Sequence, residues 1–133
     1  MAAPDRSMTL DIGLLVLRVA GGLMMAGHGY GKVQKVLAGD FGFPDPLGVG
    51  ATASLILAAF AEFVCALLVV VGLQTRWSAI PVVMTMLVAA LIVHAGDPWG
   101  EKEHALIFAT AFLALVFTGG GRFSIDALFR RSR

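Results

Sequence analysis

Four long apolar runs, separated by short polar segments, dominate the chain and limit what it can fold into. They extend from about Met8 to Tyr30, from about Gly50 to Leu73, from Trp77 to about Gly96, and, shortest, from about His104 to Thr118. Crossing the hydrocarbon core of a bilayer takes roughly 20 mostly apolar residues in a helix. A membrane barrel would instead show alternating segments of roughly ten residues. The expected fold is therefore an all-α membrane protein: a four-transmembrane-helix antiparallel bundle occupying residues 1–133 as one domain. Composition agrees. Hydrophobic residues make up 58% and charged residues 14%, whereas soluble domains average about 45–50% and about 25%. Too few charges remain to cover a water-soluble surface.

The same counts exclude several chemistries. A net charge of +1 provides no basic field for nucleic acid. One cysteine, Cys65, excludes an internal disulfide, a paired-cysteine redox motif and an all-cysteine iron–sulfur site within the chain. No phosphate-binding loop, dinucleotide glycine motif or HExxH is present. Arg6 ahead of an apolar stretch resembles a signal peptide, but the stretch is too long and Arg18 interrupts it, so a retained helix is expected.

Lys and Arg in the short loops set the expected orientation. Arg6, Arg76, Arg122, Arg130, Arg131 and Arg133 fall on one side, and Lys32, Lys35 and Lys102 on the other. Both termini are expected to be cytoplasmic, with Trp77 and Trp99 anchoring the third span at the interfaces. The Gly31–Val49 segment is expected as an outward loop broken by Pro44 and Pro46. Phe41 and Phe43 fit either an interfacial segment or an ordinary connector. Gly119–Gly121 should end the fourth helix, and Ser124 should cap a short helix with Asp126 in its first turn. Arg130, Arg131 and Arg133 would then meet anionic headgroups.

Ionisable groups within spans are costly and face the protein interior. Counted from the expected outer ends, Arg18 and Glu62 lie at one depth and should pair. Arg18, Gly22, Met25, Gly29 and Lys32 share one helical stripe, and Ala51, Ala58, Glu62 and Cys65 share another. The pair reads either as a register-fixing contact or as a headgroup or proton-relay site. His28, His94 and His104 gather at the same membrane face, with Lys32, Asp97, Glu101 and Glu103. They read as interfacial histidines bonded to loop backbone, as a quinone or proton site, or as metal or haem ligands. Without HxH or HExxH spacing, no residue is assigned to a metal. Met24, Met25, Met84 and Met86 read as packing, and Cys65 as an inert buried thiol.

The ordered set of Arg18 with Gly21, HGYGK at His28–Lys32, Glu62, GLQTR at Gly72–Arg76, His94, Glu103 and GGGRFSID at Gly119–Asp126 resembles the DoxX family of small four-helix membrane proteins. The match extends over nearly the whole chain, with one departure: a histidine at position 28, where a small or variable residue is expected. The resemblance implies residence in the cytoplasmic (inner) membrane of a prokaryote and a link to quinone-dependent sulfur oxidation or to redox and thiol-stress assemblies. It leads to a redox-associated subunit that binds a quinone or similar small polar molecule toward the outer face. Arg18, Glu62, Lys32 and Glu103 would hold the molecule, and His94 and His28 would transfer protons. The alternative is a non-catalytic scaffold or accessory subunit of a larger respiratory complex, or a homo-oligomer, packed through small-residue pairs such as Gly22–Ala26 and Ala105–Ala109. Whether the chain is itself an enzyme stays open between these readings. A transporter is disfavoured, since neither inverted repeats nor broken helices are visible.

Overall fold

The computed structural model describes residues 6–132, with the side chain of Arg6 excepted; the expected role of Arg133 lies outside the described residues. Among them there is no strand. Five helices form: α1 (Arg6–Leu37), α2 (Ala51–Val71), α3 (Thr75–Val93), α4 (Trp99–Thr118) and α5 (Ile125–Arg131). The first three are long and apolar enough to cross a membrane. The fourth has 20 residues but carries Glu101, Lys102 and Glu103 near its start, and it falls outside that group. The expected four spans are therefore matched by three, with α4 packed along α3.

Two boundaries differ from the sequence reading. α1 runs on to Leu37, so Gly31–Leu37 is helix and not loop. No Gly or Pro interrupts KVQKVL, and the chain turns only at Gly39, which adopts a positive φ of 71°. α4 begins at Trp99, directly after Pro98, five positions before the expected start at His104. Both extensions are charged, which hid them from a reading based on apolar runs.

α1 and α2 approach closely because glycines face the neighbouring backbone. A Cβ on Gly22 would lie 3.0 Å from the Ala66 carbonyl oxygen. A Cβ on Gly29 would lie 2.6 Å from both the carbonyl oxygen of Glu62 and the amide nitrogen of Phe63. Later positions on α1 thus meet earlier positions on α2. The core beside this contact is small and apolar: Met25, Ala66, Val69, Val82, Ala90, Phe112 and Leu115 are buried together. Met25 and Met86 are buried in the core, whereas Met24 and Met84 face outward. Trp77 and Trp99 are exposed, as interfacial anchors would be.

This register separates Arg18 from Glu62 and corrects the expected pair. Gly29 sits against Glu62, and Arg18 lies 11 residues earlier on the same helix, about 16 Å away along its axis. The misplacement follows from counting depth from Tyr30 when the helix continues to Leu37. Arg18 is 1% exposed. Its Nη1 donates to the carbonyls of Val69 (3.2 Å) and Val70 (2.9 Å) at the end of α2, and its Nη2 donates to the Phe123 carbonyl. The guanidinium therefore ties α1, α2 and the C-terminal segment together.

The rest of that end is built around the same knot. Gly72 ends α2 in the left-handed region (φ 76°), and the amides of Gly72 and Leu73 both reach the Leu68 carbonyl at 2.9 Å. Gln74, also left-handed at φ 51°, starts α3. The amides of Gln74 and Thr75 donate to the Asp126 carboxylate at 2.7 and 2.9 Å, so the short α5 caps α3 from outside it. Ser124 caps α5 as expected, its hydroxyl accepting from Ala127 at 3.3 Å. Arg122 bonds Asp11 through its amide (3.0 Å) and Nε (3.4 Å), closing the C-terminal segment onto α1.

At the opposite end, the 38–50 loop is held by Asp45. Its carboxylate accepts from the amides of Val49 (3.0 Å) and Gly50 (2.9 Å) and from the Ser54 hydroxyl (3.0 Å), which fastens the loop to the start of α2. Partial desolvation pushes its pKa up, but hydrogen bonds from Gly50, Ser54, Val49 and Gly48 outweigh this and hold it below the ordinary aspartate value.

Three outcomes follow. Gly29→Ala should force α1 off the α2 backbone and destabilise the fold by about 1–3 kcal/mol, read as a lower thermal midpoint in detergent; Gly27→Ala, with nothing within 4 Å of its Cβ, should leave the midpoint in place. Arg18→Met strands the Val70 and Phe123 carbonyls, while that of Val69 keeps the Gly72 amide, and should lose about 2–4 kcal/mol by the same measurement. Arg18→Lys, which keeps the charge without the planar fork, should fall between; an unchanged midpoint for Arg18→Met would refute the clamp. Asp45 has a lowered folded pKa, so its contribution is present above the ordinary aspartate value of about 3.9 and is lost as pH falls through the folded value below it. Amide exchange in the loop should accelerate over that acidic window in the native chain, and Asp45→Ala should be fast at every pH.

Candidate functional site

The loop end holds a cavity of about 590 Å³. Its polar lining comes from four helices: His28 and Lys32 on α1, Glu62 on α2, His94 just past α3, and Glu101 and His104 on α4. Phe43, Pro44, Pro46 and Leu47 of the 38–50 loop form a roof, and α2 and α3 provide apolar walls.

Glu62 is the most deeply placed of these groups, with 4% of its side chain exposed. It lies in a wide, π-helical turn spanning Phe60–Cys65 inside α2. Such turns insert an extra residue into a helix and recur at functional sites. Gly29 lets α1 rest on the backbone at Glu62, and Lys32, one turn further along the same face, reaches the carboxylate. Lys32 Nζ stands 2.9 Å from Glu62 Oε1 and 2.8 Å from Oε2. A buried carboxylate without such a partner would be strongly destabilising, so the partner expected for Glu62 exists, but it is Lys32 and not Arg18.

The histidines form two arrangements. His28 and His104 stack with ring centroids 5.0 Å apart and planes 25° apart. Both pack on Phe108, at 5.6 Å and 5.2 Å. His94 lies separately, its Nδ1 2.7 Å from Asp97 Oδ2. A second π-helical turn, Ala89–Val93, delivers it, and the His94 amide bonds the Ala89 carbonyl at 2.9 Å. A carboxylate at Nδ1 orients the ring and favours the tautomer with its proton on that nitrogen. Among the described residues, no three His, Cys, Asp or Glu side chains gather to hold a metal ion.

Of the residues given a binding or proton-transfer role from the sequence, the structure brings Lys32, Glu62, His28 and His94 to the cavity. Arg18 belongs to the other end of the molecule. Glu103 is exposed and does not line the cavity. Glu101 and His104 take part instead. The sequence gathers both at this membrane face without giving either a binding or proton-transfer role; they are spaced i, i+3 at the start of α4, on one helical face.

Residues 13–95 match the DoxX family profile. The chain is 29% identical to the inner membrane protein YqjF of Escherichia coli (strain K12), over 91% of this chain and 95% of that one. It is 30% identical to CatD of Bacillus subtilis (strain 168), provisionally named an oxidoreductase, over 89% and 87%. It is also 30% identical to the uncharacterized membrane protein Rv3486 of Mycobacterium tuberculosis (strain ATCC 25618 / H37Rv), over 85% and 78%. No solved structure matches. The family profile covers more than half the chain, and the three relatives extend the likeness over most of its length, so the chain belongs to the DoxX family of membrane proteins.

Proposed function

We propose that this protein is a redox-associated subunit of a prokaryotic cytoplasmic membrane, and that the loop-end cavity binds the headgroup of a quinone or a similar small polar carbonyl compound. The convergence of Lys32, Glu62, His28, His104 and His94 on one cavity carries the reading. Its volume of about 590 Å³ lies within the roughly 300–1,000 Å³ of small-molecule sites, and its mostly apolar walls with a few converging polar groups fit the pattern of such sites. The CatD likeness supports a redox association. The donor set fits a carbonyl-bearing ring: Lys32 offers N–H donors, the stacked histidines an aromatic edge, and apolar walls surround both. A bound quinone would supply the capacity to take up electrons and protons at its carbonyls.

The protein's own groups would work as follows. Glu62 holds Lys32 in place. Lys32 donates to a carbonyl oxygen. Asp97 fixes His94 through Nδ1, and Nε2 takes or gives a proton. Arg18, the nearest match to a headgroup ligand in the sequence, holds the fold instead. The distribution of basic residues supports cytoplasmic termini, with the cavity facing outward: Arg76, Arg122, Arg130 and Arg131 lie at the terminal end, and Lys32, Lys35 and Lys102 at the loop end.

A second reading, an accessory subunit packed against other membrane chains or copies of itself, is favoured by Gly27 and Gly31. They stand one turn apart on α1 with nothing within 4 Å of either Cβ, which leaves room for another helix. Its marker is stoichiometric co-purification in mild detergent without a bound small molecule.

Binding of soluble benzoquinone and naphthoquinone analogues to the purified protein tests the first reading. Lys32→Met and His94→Ala should each weaken binding tenfold or more, equivalent to about 1.4 kcal/mol. Glu103→Gln, outside the cavity lining, should bind as the native chain does. Wild-type affinity in folded Lys32→Met and His94→Ala variants would overturn the headgroup site.

A further inference from the structure

We infer that the occupant of this cavity carries a long apolar chain, lodged in a slot between α2 and α3 and reached sideways from the hydrocarbon of the bilayer. The inference rests on the headgroup reading and deepens it by naming the ligand class.

The cavity does not end with its polar groups. It continues along α3 from His94 to Pro81, 13 residues or about 20 Å of helix. One leaflet of hydrocarbon is only about 15 Å thick, so the slot reaches past the depth of a headgroup and of the leaflet itself. The helices part here for a visible reason. α3 packs against the π-helical turn Phe60–Cys65 and against Ala66–Val71, but hardly touches Ala51–Ala59. The opening therefore widens toward the loop end.

The slot is apolar and open to the side. Leu57, Phe60 and Met84 line it and are each about half exposed, at 57%, 49% and 58%. In a bilayer, that exposure faces lipid chains. From the water side, Phe43, Pro44 and Pro46 cover the cavity, and Asp45 fastens this roof to α2. A water-soluble ligand would leave the slot to be filled by something else, because water needs about two to four polar partners and along α3 only the Thr85 hydroxyl is at hand. An amphiphile matches both halves: its polar head meets Lys32, Glu62 and the histidines, and its isoprenoid or acyl chain makes dispersion contacts along α2 and α3.

The test compares a benzoquinone bearing a decyl chain with the same ring lacking it, in the native chain and in the slot-filling variants Leu57→Trp and Met84→Trp. The decyl compound should bind at least tenfold more tightly to the native chain. Each variant should remove that advantage while leaving the chainless affinity as it was. Equal affinities for the two compounds in the native chain would overturn the inference, with headgroup binding left intact. So would variants that weaken both compounds equally. If neither compound binds, the headgroup reading falls, and a photoreactive isoprenoid decides the chain: cross-links concentrated at Leu57, Phe60 and Met84 support the slot, and labelling spread evenly over the lipid-facing surface overturns it. A photoreactive phosphatidylcholine that labels the same residues as strongly would show that bulk lipid fills the slot and would also overturn it.

Discussion

A guanidinium buried among apolar helices persists only if the protein supplies its partners, and Arg18 finds them in backbone carbonyls. The Val69 and Val70 carbonyls belong to the last turn of α2, where a helix runs out of its own amide donors, and the Phe123 carbonyl lies in the segment between α4 and α5. By taking Val69 and Val70 at the end of α2 and Phe123 beyond α4, Arg18 fixes three chain segments at one point. The sliding register of α1 against α2 is then determined. With Arg18 held there, Gly22 meets Ala66 and Gly29 meets Glu62. The cavity at the far end inherits its geometry from this knot, because Lys32 can reach Glu62 only in that register.

The division of labour between the two ends follows from what their polar groups bond. At the terminal end, Arg18, Asp126, Ser124 and Asp11 are engaged with backbone groups. These bonds close helix ends and leave little capacity for a ligand. Around the cavity at the loop end, side chains meet side chains: Lys32 with Glu62, His94 with Asp97, and His28 stacked on His104, while Asp45 of the loop bonds backbone amides. Lys32 and both imidazole arrangements border open space. This contrast separates the structural charge from the candidate ligands, although the sequence alone presents all of them as ionisable residues in or near spans.

Much of the architecture was legible in the sequence, for a physical reason: lipid demands helices, and long apolar runs reveal them. α2 and α3 lie within a few residues of their expected bounds. What failed was the charged continuation of helices beyond the apolar run, at Gly31–Leu37 and at Trp99–Glu103. That one error shifted the inferred depth of Arg18 and produced the wrong partner for Glu62. The small-residue stripe from Gly22 through Gly29 to Lys32 already contained the correct partner, since it placed Lys32 on the face that meets α2. The π-helical turns at Phe60–Cys65 and Ala89–Val93 have no comparable sequence signature. The stacking of His28 on His104 also depends on how α1 and α4 pack, and hydropathy says nothing of that.

The Lys32–Glu62 pair has an electrical consequence as well. In an energised membrane, the transmembrane voltage does work on any net charge that moves through it, about 2.3 kcal/mol per elementary charge per 100 mV. Opposite charges 2.8 Å apart nearly cancel, so rearranging them together moves almost no charge across the field. A cavity built around this pair can fill and empty with little sensitivity to voltage. Neutralising either partner would leave a lone charge inside the bilayer, coupled to the membrane potential.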